Sequence, residues 1–102
     1  MLNSKQEIIR EVYKLADETN ESGLENYLRT LELENIKFVQ TIMYLGRDAQ
    51  YSGTTENEIY ESVYNSLSWT NDPEVEINQI CEKIGVLREY IKNGLNILKI
   101  SL

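Results

Sequence analysis

Near the end of the chain apolar residues recur every seven positions, at Ile77, Ile84, Ile91 and Leu98, with Ile80 and Leu87 at the complementary places. The intervals alternate three and four through Leu87; Gly94 then takes the next place on the stripe, with Leu95 beside it. A stripe of this period belongs to a helix packed lengthwise on another helix, because it keeps one face turned toward its neighbour. Asp72 is a suitable N-cap and Pro73 stands at the first helical position, where a missing N–H costs nothing. The spacing therefore predicts a long C-terminal helix from Pro73 to about Lys99. Gly85 lies inside it and costs ~1 kcal/mol relative to Ala, so the alternative is two helices broken near residue 85.

Upstream, the period is also helical. Ser4 and Glu7 form a capping-box pair ahead of Ile8, Ile9, Val12, Leu15 and Ala16, one face of a 3.6-residue repeat. The polar stretch from Asp17 to Gly23 reads as a loop, and Ser22 with Glu25 repeats the capping pattern before Leu24, Tyr27, Leu28 and Leu31. The segment 35–46 is apolar on several sides (Ile36, Phe38, Val39, Ile42, Met43, Tyr44, Leu45), as expected of a central helix, and Gly46 fits a left-handed C′ position that would end it. Thr55 and Glu58 form another capping box, opening a helix with Ile59, Val63 and Leu67 on one face and Tyr60 and Tyr64 one step round. No stretch alternates long enough for a strand. The expected fold is all-α, a compact bundle of four or five helices in a single domain, 1–102.

Charge and residue types narrow the chemistry. The 102 residues carry a formal net charge of −7, which disfavours nucleic acid and anionic membrane surfaces as partners. No run approaches the ~18 apolar residues of a membrane span, and the segment from Met1 to Glu7 has no apolar leader pattern, so a cytoplasmic protein is expected. Cys81 is the only cysteine and lies in the apolar stretch of the last helix, so an internal disulfide is excluded and a small buried hydrophobe is expected.

Histidine is absent, which removes the usual general base near neutral pH, the usual zinc ligand and the usual triad member. Glu58 and Glu61, and Glu18 and Glu21, are spaced for divalent-cation or acid–base work, but the Glu-x-x-His pairs of carboxylate-bridged metal bundles are missing. No glycine-rich phosphate loop exists, since the glycines stand singly. The expectation is a non-enzymatic chain with no cofactor.

Two features carry functional readings. Arg47, after Leu45 and Gly46, suits the negative end of a helix and pairing with Asp48, or else an anion or partner contact. Tyr60, Tyr64 and Trp69, with Tyr51 and Tyr44 near in sequence, combine apolar area with a polar tip, which suits core edges and interfaces alike.

Two stretches together resemble a family of small bacterial proteins, the domain of unknown function 3775. They are Phe38-Val39-Gln40-Thr41-Ile42-Met43-Tyr44-Leu45-Gly46-Arg47-Asp48 and Tyr90-Ile91-Lys92-Asn93-Gly94-Leu95, about a quarter of the chain. The resemblance implies a helical fold and supplies no catalytic residues.

The resulting expectation is a small helical protein–protein interaction module or regulator, homodimeric through Ile84, Leu87 and Ile91, because the stripe on a helix ~30 Å long exceeds what short neighbours cover. The alternatives are an acidic inhibitor or nucleic-acid mimic that occupies a basic partner, and, behind it, a carboxylate–metal enzyme.

Overall fold

Short-range capping chemistry sets three of the helix starts. The computed structural model describes residues 5–102, and Ser4 of the first expected capping box lies outside the described residues. The helices are α1 (Gln6–Asp17), α2 (Glu21–Arg29), α3 (Leu33–Asp48), α4 (Glu56–Ser66), α5 (Pro73–Cys81) and α6 (Leu87–Ile97). No strand occurs among the described residues. The class is all-α, with six helices among the described residues where four or five were expected.

The Thr55–Glu58 box forms as expected. The Thr55 hydroxyl accepts from the Glu58 N–H at 3.2 Å, and the Glu58 carboxylate accepts from the backbone N–H groups of Thr55 and Thr54 at 3.0 Å each. Those bonds, Thr55's first, hold the Glu58 carboxyl down at about 2. A depressed carboxyl stabilises the fold above its ordinary pKa, and that contribution is lost as pH falls from 4.5 through about 2. Asp72 caps α5 by accepting from the Glu74 N–H at 3.0 Å, with Pro73 in the first turn. The second helix differs from expectation. Its cap is Asn20, whose Oδ1 accepts from the Gly23 N–H, so Ser22 lies inside the first turn.

The helices share one hydrophobic cluster to which all six contribute. α3 runs through its middle. Every residue from Ile36 to Met43 is buried, as are Leu45 and Gly46, in accord with the all-round apolar pattern of a central helix. α6 lies along α3, α4 and α5 pack on its other sides, α2 packs on α5, and α1 touches α2, α3 and α6. Two ion pairs tie separate helices together at the surface: Arg29 of α2 to Glu74 of α5 at 2.9 Å, and Arg88 of α6 to Asp17 of α1 at 2.8 Å.

Gly46 does not end α3. The helix continues to Asp48, and Ala49 takes the left-handed position with φ 52°. Gly46 is needed for a different reason: a Cβ there would lie 1.7 Å from the Tyr90 carbonyl oxygen of α6. Gly94 is its counterpart, since a Cβ on it would lie 2.3 Å from the Ile42 carbonyl oxygen of α3. The two helices therefore cross backbone to backbone. The two stretches that carry the family resemblance meet at this crossing, so packing alone accounts for their glycines.

The long C-terminal helix is corrected to two. A continuous helix from Pro73 to Lys99 would run about 40 Å, more than the 36 Å greatest extent of the chain. Residues 82–86 instead form turns with i→i−3 hydrogen bonds, Lys83 to Ile80, Ile84 to Cys81 and Val86 to Lys83. The break falls at Gly85, where helix formation is costly. A Cβ on Gly85 would meet nothing within 4 Å, and its φ is ordinary. Gly85→Ala should thus stabilise the chain by about 0.5 kcal/mol through a less flexible unfolded state, raising the melting temperature by a few degrees.

Two of the three residues expected at a dimer contact lie inside the single chain. Leu87 and Ile91 are 0% exposed within the single chain, and Ile77, Ile80 and Leu98 are also buried; only Ile84 keeps some accessible surface. Bending the segment at 82–86 lets short neighbours cover a stripe that a straight helix would leave bare.

Candidate functional site

α3 and α4 bring the expected aromatic residues into one row. Tyr60 and Tyr64, one helical turn apart on α4, have ring centroids 6.1 Å apart. Trp69 follows at 5.2 Å from Tyr64, and Phe38 of α3 extends the row inward at 5.9 Å from Tyr60. Such tilted and offset pairs are the favoured geometries for aromatic rings. The Trp69 indole N–H donates to the Tyr64 carbonyl at 3.0 Å, which folds the segment after α4 back over the row. Tyr60 is buried, and burial pushes its phenol up to about 12. Tyr64 is half-buried, with its hydroxyl donating to the Glu34 carboxylate at 3.1 Å; burial first and Glu34 second raise its pKa.

A lysine sits at each end of the row. The Lys37 ammonium is 5.5 Å from the Trp69 ring centre, donates to Asn71 Oδ1 at 2.7 Å and stands 3.6 Å from Glu34. The Lys5 ammonium is 5.3 Å from the Phe38 ring centre. Beside the row, a cleft of about 290 Å³ is lined by Lys5, Glu34, Tyr60, Glu61, Tyr64 and Asn65.

Sequence reasoning found the three aromatic residues of α4 and its following loop but missed Glu34, Lys37 and Lys5. The available signal was spacing: Glu34, Lys37, Phe38 and Thr41 occur at intervals that put them on one side of α3. Tyr51 does not join the row. It is 47% exposed and, with Tyr44, lines a separate cleft of about 380 Å³ between α3 and α4. There the hydroxyls of Ser62 and Ser66 donate to carbonyls of their own helix.

Arg47 lies at the other end of α3 from Glu34. Its guanidinium donates to both oxygens of Asp48, at 2.8 and 3.0 Å, and stacks 4.5 Å above Tyr44. The bond to Asp48 raises the Arg47 pKa and lowers that of Asp48. Pairing at a helix end accounts for Arg47 without an external anion.

Cys81 and Glu58 are also engaged, whereas Glu18, Glu21 and Glu61 are exposed. Cys81 is buried, and burial pushes its thiol up to about 11, away from the nucleophilic thiolate. Glu58 is held by its capping box. No group of three His, Cys, Asp or Glu side chains suited to a metal ion occurs among the described residues. No helix among them is long and apolar enough to cross a membrane.

One acid is unusual. Glu76 of α5 is 0% exposed; one oxygen accepts from the Thr70 hydroxyl at 3.3 Å and the other has no hydrogen-bond partner. Burial raises its pKa, while Thr70 and Lys37 pull the other way. A raised carboxyl favours the fold while protonated, and that contribution is lost as pH rises through the folded pKa. Glu76→Gln should accordingly raise the melting temperature at pH 7, and the gain over the parent chain should shrink on acidification toward pH 4.5, the group's ordinary value. A gain that is unchanged by acidification would show that Glu76 is not the titrating group.

No protein-family model, curated protein sequence or solved structure matches the chain.

Proposed function

We propose that this chain is a non-enzymatic interaction module, a small helical regulator that acts by docking on another protein. The observation that carries the reading is the aromatic row of α3 and α4, which runs from buried Phe38 to half-buried Tyr64 and Trp69 beside an open cleft. Rings with a polar tip, fixed by packing and partly accessible, lose little conformational freedom on binding and contribute much contact area. Of the side chains that could serve catalysis, Glu58 is used in a cap and Cys81 in the core. A cytoplasmic setting and membership of the domain of unknown function 3775 belong to the same proposal.

Self-association is a further part of it and requires a surface other than the covered stripe. Tyr51, Val75, Val86 and Leu102 are the large exposed apolar side chains among the described residues, at 47%, 36%, 40% and 47%. Size-exclusion chromatography with light scattering checks this, and a chain that stays monomeric at high concentration removes self-association.

A second reading, an acidic inhibitor that occupies a basic site, is favoured by the carboxylates of Glu34 and Glu61 at the cleft. Affinity capture from native cell extract tests the interaction-module reading. The parent chain should retain a partner that Tyr64→Ala and Trp69→Ala lose, while Tyr51→Ala keeps it. Identical captured sets from all four folded chains would refute the reading.

A further inference from the structure

We propose that the cleft between Glu34 of α3 and Glu61 of α4 is a cradle for an arginine or lysine side chain in a basic segment of a partner protein. The inference rests on the interaction-module reading and adds the chemistry of the partner.

Its walls combine the two groups that favour a cation. Half-buried Tyr64 supplies ring surface with the nearly covered Tyr60 behind it, and Glu34 and Glu61 supply carboxylates around the same space of about 290 Å³. A cation gains from ring quadrupoles and from charge-assisted hydrogen bonds, whereas an anion is repelled by both. Glu34 is 65% exposed yet anchored, because it accepts from the Tyr64 hydroxyl and stands 3.6 Å from Lys37. A carboxylate offers about four lone-pair sites, so accepting capacity remains. Glu61 is exposed and makes no ion pair among the described residues.

The chain's own lysines use the same row of rings. Phe38 and Trp69, at its ends, each have an ammonium within 5.5 Å, while Tyr60 and Tyr64, between them, have none among the described residues. The cleft opens on these middle rings. Lys5 lines its edge, so it competes with an incoming cation by charge and by space. The net charge of −7 adds long-range attraction for a basic segment.

The test uses the full chain, isotope-labelled for NMR, titrated with the peptide Gly-Arg-Gly-Arg-Gly and with the same peptide bearing neutral citrulline for arginine. The arginine peptide should shift the amides of Glu34, Tyr60, Glu61, Tyr64 and Asn65 and the Trp69 indole. Glu34→Gln with Glu61→Gln should weaken binding by about tenfold or more. The control pair Glu18→Gln with Glu89→Gln, equally exposed and of equal charge, should weaken it by about twofold at most. Lys5→Ala should tighten binding roughly two- to fivefold.

Equal weakening by both glutamine pairs would reduce the effect to net charge and overturn the cradle. So would a citrulline peptide that binds as well, shifts confined to another face, or no binding at all. These failures are distinct from failure of the module itself. If the arginine peptide fails while Tyr64→Ala still loses a captured protein, the cation cradle falls and the docking surface stands. If the captured sets are identical, the module reading falls and the cradle, which rests on it, falls with it.

Discussion

Gly46→Ala is expected to lower stability by roughly 3 kcal/mol or more, which corresponds to a melting temperature about 10–20 °C lower for a domain of this size. The new methyl would lie 1.7 Å from the Tyr90 carbonyl oxygen and 2.7 Å from the Gly94 nitrogen. Both are backbone atoms of α6, so no side-chain rotation relieves the clash; the helices must separate. Separation then loosens the packing of Ile42, Leu45, Ile91 and Leu95, which are buried on the two elements. Total stability for a chain of this length is on the order of 5–15 kcal/mol, so the loss is a large fraction of it.

Gly94→Ala should act similarly, through the Ile42 carbonyl at 2.3 Å. Because the two glycines share one crossing, the double variant should lose less than the sum of the single losses. Thermal unfolding followed by circular dichroism measures all three. A Gly46→Ala chain that melts within a couple of degrees of the parent would show that α3 and α6 do not approach this closely.

Leu87→Asp is the second large effect, and its readout separates two views of the C-terminal stripe. Leu87 has no accessible surface within the single chain. A carboxylate there is buried without a partner, which costs about 3–5 kcal/mol. The folded chain itself should be destabilised, with loss of helical signal on heating at a much lower temperature. Part of the loss should be recovered on acidification, because burial raises the introduced carboxyl's pKa and protonation removes the charge. Were the stripe instead a contact between two copies, the same variant would abolish association and leave a monomer of near-parental melting temperature. Ile84→Asp is the internal comparison: Ile84 is only partly buried, so its effect should be smaller. Equal melting temperatures for Leu87→Asp and the parent would place the stripe outside the core.

Much of the fold was legible because it is local. Thr55 and Glu58, or Asp72 and the Glu74 N–H beyond Pro73, interact across three residues or fewer, and residue types in that order have few alternative uses. Where two local solutions competed, the sequence was ambiguous. Asn20 and Ser22 are both suitable residue types for a cap, and the structure uses Asn20, which starts α2 at Glu21 without changing the apolar face of Leu24 and Leu28. Gly46 was misplaced for a related reason. Glycine serves both a helix end and a close helix crossing, and only the partner backbone at Tyr90 tells them apart.

The candidate site was legible in half. Tyr60, Tyr64 and Trp69 announced themselves by type and spacing on one helix and the segment after it. Glu34, Lys37 and Lys5 did not, since ordinary charged residues reveal a role only when another element is brought beside them. Burial of Glu76 is of the same kind: a glutamate in a first helical turn usually faces water, and this one is covered only because Thr70 and α3 close over it.

The sequence by itself determined that the chain is helical, where the caps of α4 and α5 act, which faces are apolar and which reactive residue types are missing. Those properties arise from interactions within a helical turn or from composition. The tertiary structure alone decided that α5 and α6 part at residues 82–86, that Gly46 and Gly94 meet, and that two carboxylates and two tyrosines border one cleft. These depend on contacts between segments some thirty to fifty residues apart, whose mutual approach is set by how the whole core fills its volume and not by any local preference.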